Sequence, residues 1–284
     1  MITVVIPALN EEDAIVDTIM QVRSVLAAYE GMEIIVVDDG STDRTGELAA
    51  ANGAKVIRHP VKAGYGRSLK DGIAAARNEI IAITDADGTY PIDRIPALCQ
   101  ALDEGFDMSV GARTGDEYRE SVVKAPMRKL LTVLVEFTTG RIIPDVNSGL
   151  RVFRRGAAMQ FFPHLCNTFS FTTSLTLAYM MNGLFISYSE IPYYRRIGKS
   201  KVRLIKDAMG TLQYIIQAIL YYNPLKLFLM MSALTVVFSF FGLTLSIFMS
   251  INVGYYWFAG GILLSILIFC MGLLADLLRQ IMDK

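Results

Sequence analysis

Asp85 and Asp87, one residue apart in Thr84-Asp85-Ala86-Asp87-Gly88, are the pair in this chain best suited to hold a hard cation. Such cations take oxygen ligands and are often shared between one or two carboxylates and substrate phosphates. The apolar run Glu79–Ile83 before them reads as a short buried strand. The pair therefore sits at the C-terminal end of a strand, the edge where open α/β sheets bind ligands. Two other polar clusters follow apolar runs in the same way: Pro7-Ala8-Leu9-Asn10-Glu11-Glu12, and Asp38-Asp39-Gly40-Ser41-Thr42-Asp43. A base and a ribose offer N–H and O–H donors, which carboxylates accept. A diphosphate repels carboxylates unless a metal lies between them. The acids after the second strand therefore suit a nucleoside, and Asp87 suits a metal. Taken alone, a D-x-D is more often a solvated acidic turn, here closed by Gly88; the two companion clusters argue against that reading.

These residues need a scaffold that brings strand ends together. Residues 1 to about 112 alternate apolar runs with helical patterns. Strands are predicted at Ile2–Ile6, Glu33–Val37, Lys55–Ile57, Ile80–Thr84 and Met108–Gly111, and helices at 11–29, 42–52, 65–77 and 91–103. That alternation predicts an α/β fold with a mostly parallel sheet covered on both faces. Beyond Arg113, a helix is expected at 126–140, strands at Leu150–Phe153 and Leu184–Ile191, and a helix at 170–182.

The C-terminal region has a different solvent in view. Leu227 to Ala275 contains no Asp, Glu, Lys or Arg. It is too long for one membrane span and fits two of ~20–25 residues. The spans are placed at about 227–250 and 255–277, with a turn near Ser250–Gly254 and Tyr255, Tyr256 and Trp257 beside it as an aromatic belt. Lys226 precedes the first span, Arg279 and Lys284 follow the second, and the turn has no basic residue. The positive-inside rule then puts both ends in the cytoplasm. Arg195, Arg196, Lys199, Lys201, Arg203 and Lys206 form a basic collar before an amphipathic pattern that ends at Asn223-Pro224. This reads as a helix at 203–224 in the membrane interface. The division expected is 1–202, 203–224 and 225–284.

Other readings fall away. Net charge is zero, and no nucleic-acid partner is expected. Cys99, Cys166 and Cys270 are scattered without a C-x-x-C, which suggests neither disulfides nor zinc. His59 and His164 are isolated and expected to be ordinary polar residues. Gly64-Tyr65-Gly66 lacks the third glycine of a dinucleotide fingerprint, and Gly198-Lys199-Ser200 lacks the first glycine of a P-loop. No secretory signal precedes the first strand, since acids follow it at once.

In chain order, Pro7–Glu11, Val37–Asp43, Asp85–Asp87, Ser148-Gly149-Leu150-Arg151 and Arg195–Lys201 resemble glycosyltransferase family 2. Within it they resemble the polyprenyl-phosphate sugar synthases, the dolichyl-phosphate mannose or glucose synthase type. The resemblance covers about residues 2–206, and the two spans are similar to a membrane-anchored subset. It implies a GT-A fold and inverting transfer of one sugar from a UDP- or GDP-linked donor to a polyprenyl phosphate, dolichyl or undecaprenyl. It also implies that Pro7, Leu9, Glu11, Asp38 or Asp39, Asp85 and the adjoining Ala86 hold the nucleotide-sugar. Asp87 would ligate Mg²⁺ or Mn²⁺, Arg113 and Arg128 would meet phosphates, and Arg195 and Lys201 would close over the donor diphosphate or the acceptor phosphate. Some relatives carry a metal-side Gln two residues after the second Asp; here that position is Thr89, whose hydroxyl, or a water, is expected to take its place.

The acceptor chemistry gives an independent check. An alcohol nucleophile needs a general base, whereas a lipid phosphate is already anionic and needs cations to approach a diphosphate. The Arg and Lys surplus at 195–206 answers the second need. The alternative is a family-2 enzyme acting on a glycolipid or polysaccharide hydroxyl. Processive synthases of that kind carry a Q-x-x-R-W motif, and the sole tryptophan, Trp257, lies in the apolar hairpin. The glycines of the spans, Gly242, Gly254, Gly260 and Gly261, would permit close helix packing and so leave a homo-oligomer open.

Overall fold

The computed structural model describes residues 1–115, 132–133, 135–137, 139–196, 212–213, 216–217, 219–250 and 253–282. It divides into two units, Met1–Ile215 and Ile216–Lys284.

The first unit begins with β1 (Ile2–Ala8), α1 (Ile15–Val25), β2 (Glu33–Asp38), α2 (Thr45–Ala51), β3 (Lys55–Arg58), α3 (Tyr65–Ala75) and β4 (Ile80–Ile83). A short 3₁₀ turn, Ile92–Arg94, leads into α4 (Ile95–Asp103), followed by β5 (Met108–Thr114). β6 (Arg151–Arg154), α5 (Arg155–Gln160), α6 (Phe171–Met181) and β7 (Ile186–Pro192) complete it. Among the described residues, one sheet runs β3-β2-β1-β4-β6-β5-β7. β1 is parallel to β2 and β4, and β2 is parallel to β3. β6 is antiparallel to both its neighbours, whereas β5 and β7 are parallel.

β1 and β2 are rich in β-branched residues and buried along their whole length. That continuous burial is what helices on both faces of a central strand require. α1 turns Ile15, Ile19 and Val22 inward at helical spacing. These side chains are fully buried with Ile2, Val4 and Ile6. Each such residue contributes roughly 1.5–3 kcal/mol relative to exposure.

The topology also fixes where a ligand can bind. From β1 the chain steps to β2 and β3 on one side, while β4 joins β1 on the other. The carboxyl ends of β1 and β4 therefore flank a switch point, where open α/β sheets leave a crevice. All seven expected strands form. α5 was not anticipated; its six residues are too few to show a periodic pattern. Of the helix expected at 126–140, residues 126–131, 134 and 138 lie outside the described residues; 135–137 are helical. Of the amphipathic helix at 203–224, residues 203–211 lie outside them, and 219–222 are helical.

The second unit holds two long helices, α7 (Pro224–Phe248) and α8 (Gly254–Met282). Asn223 caps α7 by accepting from the Lys226 N–H, and Pro224 occupies the first turn, where a missing N–H costs nothing. Both helices are long and apolar enough to cross a membrane, and only 6% and 11% of their most apolar windows are buried. The core helix of a soluble protein would be mostly covered, so hydrocarbon is the solvent that fits this surface.

The hairpin is held by small residues. Ser232 and Ser265 place their hydroxyls 2.8 Å apart, and each also donates to the other's carbonyl, at 3.1 and 3.2 Å. Gly261 faces Ser239 so closely that a Cβ would collide with its hydroxyl. Gly254 is likewise used inside the hairpin, against Ser246, whereas a Cβ on Gly242 or Gly260 would meet nothing within 4 Å. Gly261→Leu should therefore part the two helices. Cysteines introduced at 232 and 265 should crosslink within the chain in the parent and lose most of that yield in the Leu variant.

Candidate active site

The ends of β1, β2 and β4 open on a cleft of about 400 Å³. Pro7, Ala8, Leu9 and Glu11 line it from β1, Asp39 from β2, and Asp85, Ala86 and Asp87 from β4. The β1 and β2 loops are tied together. Asn10, in a left-handed conformation (φ 50°), donates its N–H to Ser41 and accepts from the Thr42 N–H, and the Glu11 N–H donates to Thr45.

The two neighbouring acids after β2 have different tasks. Asp38 accepts from the Ser41 N–H at 2.8 Å and faces Arg58 at 3.5 Å. It is 1% exposed, does not line the cleft, and closes the turn. Asp39 lines the cleft and accepts the N–H groups of Ala63 and Gly64 at 2.7 and 2.9 Å. Of the two acids left open by sequence, Asp39 is the one brought to the site.

Those N–H groups belong to the loop that starts α3. Gly64 has φ 113°, a conformation that favours glycine. Any Cβ on Gly64 or Gly66 would run into the backbone of residues 166–168. That close approach docks the loop carrying Thr168 and Phe169 onto α3. Lys70 fastens it by donating to the Leu165 carbonyl and to Asn167. Tyr65 then stacks on Phe169 at 5.5 Å between centroids and donates its hydroxyl to Asp85 at 2.9 Å. Lys62, Tyr65, Thr168 and Phe169 all line the cleft and were not picked out from sequence. The Gly64-Tyr65-Gly66 signal was present, but as a close-packing loop rather than a dinucleotide fingerprint.

At the other end lie Asp85, Asp87, Glu11 and Arg196. Burial, and next the charge of Asp87, push Asp85 up to about 7, against the Tyr65 hydroxyl and the guanidiniums of Arg196 and Arg113. Asp87 accepts the Thr89 N–H at 3.1 Å and its hydroxyl at 2.6 Å, both on Oδ1. Arg196 spans the gap: it donates to Glu11 Oε1 at 2.7 Å, and its Nε lies 3.3 Å from Asp87 Oδ2.

Three of the residues expected from sequence are placed as follows. Thr89, expected beside the metal, is fully buried and donates its hydroxyl to Asp87. Arg195 is exposed and absent from the cleft lining; its neighbour Arg196 is the one that faces the acids. Arg113, expected at the phosphates, is gripped in a fork by Asp145 at 2.7 and 2.9 Å and lies over the Tyr193 ring. Arg128 and Lys201 lie outside the described residues.

The Arg113–Asp145 pair carries a stability prediction. Burial would raise the Asp145 carboxyl, but the Arg113 guanidinium and two backbone N–H groups hold it below the ordinary range. A depressed folded pKa contributes stability above the unfolded value, about 4, and loses it as pH falls through the folded value. Asp145→Asn removes the carboxylate that grips a largely buried cation and should cost roughly 3 kcal/mol at neutral pH. In denaturant titrations the gap between parent and variant should close as pH drops below about 4.

The acids fit a divalent ion shared with a substrate. They are hard oxygen donors, and Arg196 shows that a cation is stable between Glu11 and Asp87. Among the described residues, no three His, Cys, Asp or Glu side chains converge into a ready-made metal cage. An ion here would complete its shell with phosphate oxygens and water, the usual habit of Mg²⁺.

Comparison with known proteins adds the following. The sequence model of glycosyl transferase family 2 matches residues 3–162. The low-salt glycan biosynthesis hexosyltransferase Agl6 of Haloferax volcanii is 32% identical over 76% of this chain, which spans 53% of that protein. The undecaprenyl-phosphate 4-deoxy-4-formamido-L-arabinose transferase of Edwardsiella ictaluri is 28% identical, covering 92% of this chain and 80% of its own length. A dolichyl-phosphate hexose transferase of Haloferax volcanii is 29% identical over 71% of this chain and 86% of its own. Among solved structures, glucosyl-3-phosphoglycerate synthase from Mycobacterium tuberculosis, in complex with Mn²⁺, UDP and phosphoglyceric acid, superimposes with a TM-score of 0.64. It is 24% identical and covers 77% of this chain and 78% of its own. That likeness shows a shared GT-A-type fold.

Proposed function

Because this chain belongs to glycosyl transferase family 2, we propose that it moves one hexose, with inversion, from a nucleoside-diphosphate sugar to a polyprenyl phosphate at the cytosolic membrane face. The observation that carries the reading is the polarity of the cleft. Asp39 lies at one end as a nucleoside acceptor, and Asp85, Asp87 and Arg196 lie at the other as a diphosphate and metal end. Two apolar helices long enough to cross a membrane support a lipid as the acceptor. The relatives named for undecaprenyl and dolichyl phosphate support the same acceptor class.

In this reading Pro7, Leu9, Asp39 and Ala86 contact the nucleoside, and Tyr65 holds Asp85. Asp87 would hold Mg²⁺ or Mn²⁺, which when bound would supply charge stabilisation for the diphosphate leaving group. Arg196 pairs with phosphate oxygens, and Arg128 and Lys201 meet the acceptor phosphate. A phosphate nucleophile is already ionised, so no side chain needs to act as general base. Lys226 and Arg279, flanking the spans, support a cytoplasmic catalytic unit and termini.

The test uses the full chain in detergent with Mg²⁺, a polyprenyl phosphate and, in turn, labelled UDP-glucose, GDP-mannose and UDP-N-acetylglucosamine. Label entering the organic phase with one donor is the expected result and names the sugar. Intact donor binding without labelled lipid phosphate would shift the reading to a hydroxyl acceptor.

A further inference from the structure

His59 has no place in the chemistry above, and its position along the chain makes it look isolated. In the fold it is not. Its N–H donates to the Asp38 carbonyl at 2.9 Å, extending the β2–β3 ladder by one residue. Its ring, 12% exposed, lies between two carboxylates. Nδ1 is 2.9 Å from Asp39 Oδ1, and Nε2 is 3.1 Å from Asp71 Oδ2 on α3. Arg67 Nε donates to that same Asp71 oxygen at 2.7 Å.

A neutral imidazole has one donor and one acceptor nitrogen, and ionised carboxylates only accept. Both contacts are hydrogen bonds at once only when each ring nitrogen carries a proton. Asp39 gains most from this. Its Oδ1 receives the Ala63 N–H and the ring, with the Gly64 N–H longer at 3.2 Å, while Oδ2 receives only the Gly64 N–H at 2.9 Å. A carboxylate oxygen has two acceptor positions, so Oδ2 keeps capacity for one more donor. Asp39 is 4% exposed and lines the cleft. A buried anion of this kind is tolerated when it is paired and hydrogen-bonded.

We propose that His59, as an imidazolium spanning Asp39 and Asp71, is the positioning residue for donor recognition. It fixes the Asp39 carboxylate so that Oδ2 meets the nucleoside, and it offsets a negative charge that would otherwise oppose an anionic donor. Asp71, with Arg67 as second partner, anchors the other side of the ring to α3. This rests on the nucleotide-sugar reading above.

Two conservative variants separate the two contacts. The amide nitrogen of Asn reaches the place of Nδ1 and can still donate to Asp39; that of Gln reaches the place of Nε2 and serves only Asp71. His59→Ala should raise the donor KM and the dissociation constant of UDP or GDP about tenfold, the weight of one charge-assisted hydrogen bond, with kcat within about twofold. His59→Asn should return most of the affinity, and His59→Gln should not. In the parent, ¹⁵N–¹H spectra of ring-labelled histidine should show a proton on each ring nitrogen, bonded to the two carboxylates. A His59→Ala enzyme with unchanged KM, a joint collapse of kcat and KM in all three variants, or equal effects of Asn and Gln would overturn the proposal. Should the parent bind neither UDP nor GDP, the nucleotide-sugar reading itself fails. The ring spectrum then decides on its own whether His59 bridges the carboxylates, a singly protonated ring refuting it.

Discussion

Asp87→Ala is expected to reduce sugar transfer by at least about a thousandfold, or ~4 kcal/mol of transition-state stabilisation, and to abolish metal-dependent nucleotide binding. Asp87 is the cleft carboxylate with the most support. Its Oδ1 takes the N–H and hydroxyl of Thr89, which fixes the plane of the group, and its Oδ2 faces the cation of Arg196. A metal ligand held this way loses little freedom on binding, and such orienting partners carry much of a site's affinity. In the variant, Asp85 remains with the Tyr65 hydroxyl, one carboxylate short of the pair. Steady-state transfer and Mn²⁺-dependent UDP or GDP titration check this together. Thermal unfolding should be little changed, because only a small polar group at the cleft wall is removed. Near-normal turnover would sink the assignment of Asp87 to the metal.

The second large effect is expected at Arg196. Its guanidinium is shared between Glu11 and Asp87. Once Asp87 is engaged by a metal, Arg196 can keep Glu11 and take up phosphate oxygens through the same planar fork. Arg196→Gln should lower kcat/KM about a hundredfold, in the range seen when one preorganised charge-stabilising donor is lost. It should weaken UDP or GDP binding while leaving the free nucleoside, held at the Asp39 end, almost unaffected. Arg195→Gln, on an exposed neighbour, should change kcat/KM less than about threefold. A larger loss at Arg195 than at Arg196 would reverse the assignment.

That pair illustrates what the sequence could and could not say. Strand-helix alternation located the first five strands and short apolar runs the last two, most plainly β1 and β2, which are buried along their whole length. The acidic clusters at the ends of β1, β2 and β4 were legible for the same reason: polar residues directly after a buried strand can only lie at the sheet edge. Choices within a cluster were not legible. Asp38 and Asp39 are adjacent, yet one closes a turn and the other lines the cleft. Arg195 and Arg196 share composition and context, and only the path of the chain after β7 turns the second toward the acids. Arg113 was expected at the phosphates from the resemblance alone, and its pairing with Asp145, distant in sequence, could not be foreseen. Thr89 was expected at the metal, and its hydrogen bond to Asp87 could not be read from sequence. Tyr65, Phe169 and His59 gave no periodic or motif signal, since their roles depend on contacts between segments far apart in the chain.

The docking of residues 165–169 on the start of α3 has an evolutionary reading. Tyr65 stacks on Phe169, Lys70 binds Leu165 and Asn167, and the glycines at 64 and 66 leave room for the backbone between. Two segments about a hundred positions apart thus form one wall of the cleft. Neither can drift alone: a bulkier residue at 66 demands a new path at 166–168, and a new ring at 169 demands a new face at 65. Donor preference in this lineage should therefore be inherited as a linked pair of segments. Any graft meant to exchange one sugar nucleotide for another has to carry both halves.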